Sequence, residues 1–173
     1  AAKYAIKNNV FLYNYAYPSL RGFVMNKEIE KELVYGVIRQ ESEFDSKANS
    51  YAGAKGMMQL MTYTAKLVAK QMKVPYRKSK LTSDPEYNIK LGTYYFNSLL
   101  NEYKEVYPFA IAGYNAGPKR VKYWRKINGD PSKGKIDYVN WIELIKFKET
   151  RNYVQRVIEN ANVYRFMLSG KPI

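Results

Sequence analysis

Ile29, Leu33, Val34, Val37 and Ile38 recur at three- and four-residue spacings, the pattern of one buried helix face. The stripe predicts a helix that starts near Asn26 or Lys27, with Asn26 as N-cap, and ends at Glu41. Glu41 lies three residues after Ile38, four after Val37 and seven after Val34, so a carboxylate continues the apolar stripe. Glu43 falls off it. An ionised carboxylate is costly in apolar surroundings, so the pKa of Glu41 is expected to rise until the group holds a proton near neutrality. That is the property of a general acid.

The remaining pattern is also helical. Residues 2–14 predict a short helix that breaks near Tyr17-Pro18, because proline disfavours helix in the residue before it. Phe44 to Lys55 is a loop rich in Ser, Asn, Ala and Gly, and Gly53 and Gly56 flank Ala54-Lys55 as turn signals. A helix from Thr62 or Thr64 to about Lys73 carries Ala65, Leu67, Val68 and Met72. Asp84-Pro85 reads as an N-cap followed by proline in the first turn, and the helix it opens lines up Ile89, Gly92, Tyr95, Phe96, Leu99, Leu100 and Tyr103. Gly92 there suggests a close helix-helix crossing. Pro108 opens an apolar run to Ala112, Pro118 starts a basic helix, and Asn128 to Lys135 is a polar turn region. The last element is a long helix with Val154, Val157, Ile158 and Ala161 on one stripe and Glu149 and Thr150 at its start. No alternating strand pattern of useful length occurs. The expected class is mainly α, with room for a small β-hairpin after Glu41.

Composition narrows the chemistry. At 173 residues and 46% hydrophobic content the chain can bury one sizeable core. Residues 26–173 are expected to form the functional domain, and residues 1–25 a helical lead-in from an upstream domain of a longer chain. The start lacks the layout of a signal peptide, and no segment has the roughly 20 apolar residues that span a bilayer. Histidine and cysteine are both absent. Ser-His-Asp and Cys-His nucleophiles, thiol redox work and zinc sites built on Cys or His are thereby excluded. The net charge of +14 favours a polyanionic partner.

Three separated segments then stand out. They are Glu41-Ser42, Gly53-Ala54-Lys55-Gly56-Met57-Met58-Gln59 and Ala112-Gly113-Tyr114-Asn115-Ala116-Gly117. In this order they resemble the motifs of soluble lytic transglycosylases: a catalytic Glu followed by Ser, a G-x-x-G-[LM]-M-Q segment and an A-x-Y-N-A-G turn. The likeness continues through Asp84-Pro85, Ile89 to Thr93, Ile136-Asp137 and Phe147 to Val154, covering roughly residues 34–168.

The resemblance implies a lysozyme-like helical domain that cleaves peptidoglycan between N-acetylmuramic acid and N-acetylglucosamine, in the bacterial periplasm or cell envelope. It implies that one Glu protonates the glycosidic oxygen and then, as base, directs the muramoyl 6-hydroxyl to close a 1,6-anhydro ring. Glu41 would do both jobs, with no metal or cofactor. A conventional glycosidase needs a second carboxylate at about 5 to 9 Å.

Other positions carry over one by one. Ser50 and Gln59 match positions that hydrogen-bond sugar or acetamido groups, and Met58 and Met61 match cleft positions. Tyr114 matches a Tyr that positions substrate or the Glu, while Asn115 is expected to hold its turn together. Tyr95 is expected to pack. Glu149, favoured as an anion at a helix start, corresponds to a substrate-contacting or charge-stabilising carboxylate.

The chain also departs from the family pattern. Thr62-Tyr63 stands where many members have Pro-Gly, and Lys146 where related sequences often have Pro. Two basic clusters remain, one of them Lys119, Arg120, Lys122, Arg125 and Lys126 interleaved with Tyr123 and Trp124. They suit lactyl-peptide carboxylates, or phosphates with stacking aromatics in a nucleic-acid protein. A goose-type-lysozyme-like hydrolase and a non-catalytic polymer- or nucleic-acid-binding domain are therefore the competing readings.

Overall fold

A computed structural model of the chain describes residues 8, 13–20 and 29–169. A helical turn α1 (Tyr13–Ala16) stops just before Tyr17-Pro18, where the proline rule places the break. Then come α2 (Lys31–Ser42), α3 (Thr62–Gln71), the single turn α4 (Lys80–Ser83) and α5 (Pro85–Glu102). They are followed by α6 (Tyr107–Ala116), α7 (Pro118–Ile127), a 3-10 turn Pro131–Lys133, α8 (Tyr138–Glu143) and α9 (Lys148–Ser169). This is the mainly helical architecture that the periodicity predicts. The loop after Glu41 forms no strand among the described residues, only isolated antiparallel bridges Asn49–Lys55 and Lys55–Leu60.

Several boundaries differ from the expected ones for local reasons. The helix α2 starts at Lys31, later than the start expected near Asn26 or Lys27, and the expected cap Asn26 lies outside the described residues. Glu30 stands at the N-cap without a side-chain capping bond. Its carboxylate is engaged elsewhere, taking Arg165 Nε and Nη2 at 2.6 Å each and the Tyr107 hydroxyl at 3.3 Å. Asp84 caps α5 as expected, accepting from the Tyr87 amide at 3.0 Å, with Pro85 in the first turn. That helix ends at Glu102, short of the predicted run, because Lys104 and Glu105 enter the left-handed region at φ 52° and 62°.

The central packing event is the crossing of α2 and α9. Leu33, Val34, Val37 and Ile38 are buried against Val154, Val157 and Ala161, so the two apolar stripes share one core. Gly36 makes the crossing close. A Cβ there would lie 2.8 Å from the Val157 carbonyl and 3.1 Å from the Ala161 nitrogen. Gly92 has a different reason from the one the sequence suggested. It faces the Met58 side chain from the loop after α2, whose Cβ would sit 2.7 Å from an added methyl group. A second, smaller core of Leu60, Ala65, Val68, Ala69, Leu81 and Leu91 joins α3, α4 and α5. Trp124 and Trp141 are fully buried, so Trp124 is not available for stacking on a polymer.

Gly36→Ala gains about 1 kcal/mol of helix propensity. Overpacking a tight contact nevertheless costs typically about 1–3 kcal/mol, and here backbone atoms stand in the way. The expected result is net destabilisation, read as a fall in Tm of about 2–4 °C per kcal/mol. A raised Tm would show that the crossing can relax.

Candidate active site

Glu41 sits in the last turn of α2, where the helix is about to end. The next residues, Glu43 and Phe44, adopt left-handed backbone at φ 52° and 69°, and the Glu43 amide closes the helix on the Arg39 carbonyl at 3.1 Å. Ser42, the other half of the motif, turns its hydroxyl to the Met57 carbonyl at 2.8 Å and so ties the helix end to the loop beyond. Burial pushes the Glu41 carboxyl up from the ordinary 4.5 to about 7. The hydrogen bond from Tyr153 opposes that rise, and the negative charge of Glu149 adds to it. The apolar stripe thus has the effect on its carboxylate that the pattern predicts.

Tyr153 is the residue that sequence reasoning missed. Its hydroxyl donates to Glu41 Oε1 at 2.6 Å, from a buried position on α9. The pair is 112 residues apart in the chain, and only the α2–α9 crossing joins them. The available signal was its place within the Phe147 to Val154 run, next to the stripe residue Val154. Burial and the nearby Glu41 charge push the Tyr153 phenol well above its ordinary range, so it remains a donor. Tyr114 is raised well above its range too, first by burial and then by Glu41.

The segment after Glu41 is held by one buried amide. Asn88 Oδ1 accepts from the Met58 amide at 2.9 Å, while its Nδ2 donates to the Lys55 carbonyl at 2.8 Å and the Leu81 carbonyl at 3.0 Å. Gly56 lies directly over this group at φ 74°, and a Cβ there would run into the Leu81 carbonyl and Asn88 Nδ2. Tyr114 braces the other side, its hydroxyl donating to the Met58 carbonyl at 2.8 Å. Its ring packs on Tyr95 and edge-on to Phe96, with centroids 5.4 and 5.6 Å away. Tyr95 packs as expected.

The other expected residues are distributed unevenly. Met58 is fully buried with its sulfur 3.8 Å from the Thr93 hydroxyl, so its side chain belongs to the core and not to a cleft wall. Its length and polarisability fill the gap over Gly92. Met61, by contrast, is exposed at the start of α3. Ser50 is exposed and its Oγ accepts from the Ala54 amide at 2.9 Å, bracing the turn. Gln59, in left-handed backbone at φ 44°, donates its side-chain amide to the Gly56 carbonyl at 2.8 Å and the Ala48 carbonyl at 3.2 Å. Asn115 does not use the backbone bond that its turn position suggests. Instead its Oδ1 accepts from the Thr150 hydroxyl at 2.6 Å, linking the end of α6 to the start of α9. Glu149 is exposed in the first turn of α9.

The site is thus a raised glutamate at a helix end, held by a tyrosine and flanked by a Gly-rich loop, within a helical domain. Residues 23–136 match the family described as the transglycosylase SLT domain, and the chain belongs to that family. It is 37% identical over 151 residues to the soluble lytic murein transglycosylase of Escherichia coli K12, covering 87% of this chain and 23% of that protein. The lytic transglycosylase Slt of Pseudomonas aeruginosa, solved as an inactive mutant with Gln in place of a Glu, superposes with a TM-score of 0.75. That likeness is at 35% identity over 84% of this chain and 23% of the other. The 70 kDa soluble lytic transglycosylase of Escherichia coli gives 0.74 at 33% identity, over 91% of this chain and 24% of that one. The chain thus spans about a quarter of the length of these relatives.

Two predictions follow from the Glu41 environment. Tyr153→Phe removes the one bond that lowers the Glu41 pKa, so the pKa should move further up; a fall, read by carboxyl titration in NMR, would contradict the assignment of that bond. The second concerns stability. A carboxyl whose folded pKa lies above its unfolded value binds more protons when folded, so stability is lost as pH rises from about 4.5 to 7. Glu41→Gln should therefore melt higher than the parent at pH 8, by an equivalent of at most about 3 kcal/mol, and the same as the parent at pH 4. Parallel melting curves across the pH range would show that Glu41 is not destabilised by ionising.

Proposed function

We propose that this chain is the catalytic domain of a peptidoglycan lytic transglycosylase. It breaks the β-1,4 bond between N-acetylmuramic acid and N-acetylglucosamine and leaves a 1,6-anhydromuramoyl end. The observation that carries the reading is Glu41: a carboxyl raised to about 7 retains a proton to give, and beside it stands a neutral phenol instead of a cation.

In the first step the Glu41 proton passes to the glycosidic oxygen as the bond from the muramoyl C1 breaks, releasing the N-acetylglucosamine hydroxyl. Positive charge grows at C1 while Glu41 becomes an anion. Glu41 then accepts the proton of the muramoyl 6-hydroxyl as O6 bonds to C1, which closes the anhydro ring and restores the acid. No water is consumed, and one proton leaves and returns. Burial favours the neutral carboxyl at the start, and the Tyr153 hydroxyl supports the anion in between. The nucleophile belongs to the substrate, so the mechanism requires no second protein carboxylate at glycosidase spacing.

Exposed Ser50, Met61 and Glu149 remain as contacts to glycan, and Gln59 and Tyr114 act by shaping the loop that faces it. Met58 contributes its backbone only. Murein as substrate is supported by the names of the relatives, and a domain acting on it would work in the bacterial periplasm or cell envelope. No helix among the described residues is long and apolar enough to cross a membrane.

Digestion of purified sacculi followed by mass spectrometry tests this directly. Products lighter by one water than reducing muropeptides are expected, and only reducing ends would mean a hydrolase. Glu41→Gln should lower turnover by about 100- to 10,000-fold while preserving the fold by circular dichroism. The parent rate should fall above pH 7, where the acid is lost. Unchanged turnover in the Gln variant would remove Glu41 from the chemistry.

A further inference from the structure

The basic helix α7 and the polar turn after it do not enter the chemistry above. They border an open hollow of about 350 Å³, lined by Lys122, Arg125, Lys126, Asp130, Lys133 and Lys135, with Gly129 in its wall. The volume is that of a small-ligand site.

The cavity is held by internal bonds. Asp130 is buried and its carboxylate accepts Arg125 Nε at 3.1 Å and Nη2 at 2.8 Å. The same carboxylate caps the 3-10 turn, accepting from the Ser132 amide at 3.0 Å and hydroxyl at 2.7 Å. The Asp130 carbonyl then receives the Lys133 amide at 3.0 Å and the Lys135 amide at 3.3 Å. One aspartate thus fixes the turn that carries two lysines to the helix that carries two more. Arg125 is also seated 4.6 Å over the Phe109 ring.

The charges do not cancel. Asp130 answers Arg125, and among the described residues none of Lys122, Lys126, Lys133 and Lys135 is in an ion pair. Four exposed lysines around one hollow concentrate positive potential there, which attracts an anion of several charges. The type of anion follows from which donors are open. A two-pronged Arg suits carboxylate and phosphate alike, and Arg125 has already spent Nε and Nη2 on Asp130. What remains are four lysines, point charges best matched by a compact anion that carries several charges, as a diphosphate does and a single carboxylate does not.

We propose that this cavity binds a multiply charged phosphate group, such as a diphosphate, borne either by a soluble molecule or by a lipid headgroup. The site shares no lining residue with the Glu41 region and does not depend on the proposed reaction.

Inorganic pyrophosphate is the probe, titrated calorimetrically into the protein at low and physiological salt. Saturable 1:1 binding that weakens with salt is expected. The double variant Lys126→Gln/Lys133→Gln should bind about tenfold or more weakly, as the loss of charge-assisted contacts implies. Lys70→Gln/Lys78→Gln, with the same charge change on exposed sites outside the cavity, should bind as the parent does. Absence of saturable binding, or equal weakening in both double variants, overturns the proposal. Phosphatidylcholine vesicles containing diacylglycerol pyrophosphate, a lipid with a true diphosphate headgroup, separate the sources. Sedimentation with these vesicles that pyrophosphate reverses assigns a headgroup, whereas pyrophosphate binding without sedimentation assigns a soluble ligand.

Discussion

The fold turns on how closely α9 can approach α2. Gly36 lets the backbone of α9 come in where a side chain would stand, with the Val157 carbonyl 2.8 Å from the missing Cβ. At that distance Tyr153 reaches Glu41 near one end of α2, and Arg165 reaches Glu30 at the other. A wider crossing would separate both pairs. The remaining helices pack around this contact: α6 places Tyr114 under the loop after Glu41, and its end is tied to α9 through Asn115 and Thr150.

These two glutamates show how one helix pair can treat the same functional group in opposite ways. Arg165 grips Glu30 by a charged, two-pronged hydrogen bond, which holds that carboxyl below its ordinary range despite partial burial. Tyr153 offers Glu41 a single neutral donor, and burial wins. A cation in place of that phenol would favour the charged form and take away the proton that the proposed acid step uses. The useful feature of the site is therefore the weakness of its hydrogen-bonding partner. Glu149 contributes in the same direction as a like charge.

Much of this was legible in the chain. The Ile29 to Ile38 stripe located α2 and the odd carboxylate on it, because a period of 3.6 residues depends only on neighbours in sequence. Asp84-Pro85 located the start of α5 for the same reason: both the cap and the proline act within one turn. The three motifs lie on segments that the fold brings together, since Ser42 bonds Met57 and Tyr114 bonds Met58. What the chain concealed depended on distance in sequence. Tyr153 fell outside the stripe read for the last helix, and Asn88 carried no local signal, because the partners of both lie far away in the chain. Gly92 carried a real signal of close approach, but nothing local said that the visitor was a methionine from a loop and not another helix. Met58 itself was misplaced because a methionine next to a motif reads equally well as lining or as filling. The expected Asn115 turn bond gave way to a partner 35 residues away.

Asn88 has an implication for motion. The segment from Ala48 to Leu60 has no strand ladder, only turns and isolated bridges. It is anchored from outside by the Ser42 hydroxyl on Met57, the Tyr114 hydroxyl on Met58 and one amide on α5 that simultaneously holds the Lys55 and Leu81 carbonyls and the Met58 amide. Such a segment cannot fray residue by residue, because releasing Met58 also strands polar groups beside α4 and in the smaller core. The wall next to the acid should consequently open as one cooperative unit together with its supporting helices, or stay closed. A domain built this way presents a preset surface to whatever it meets, with no flexible loop that wraps around it.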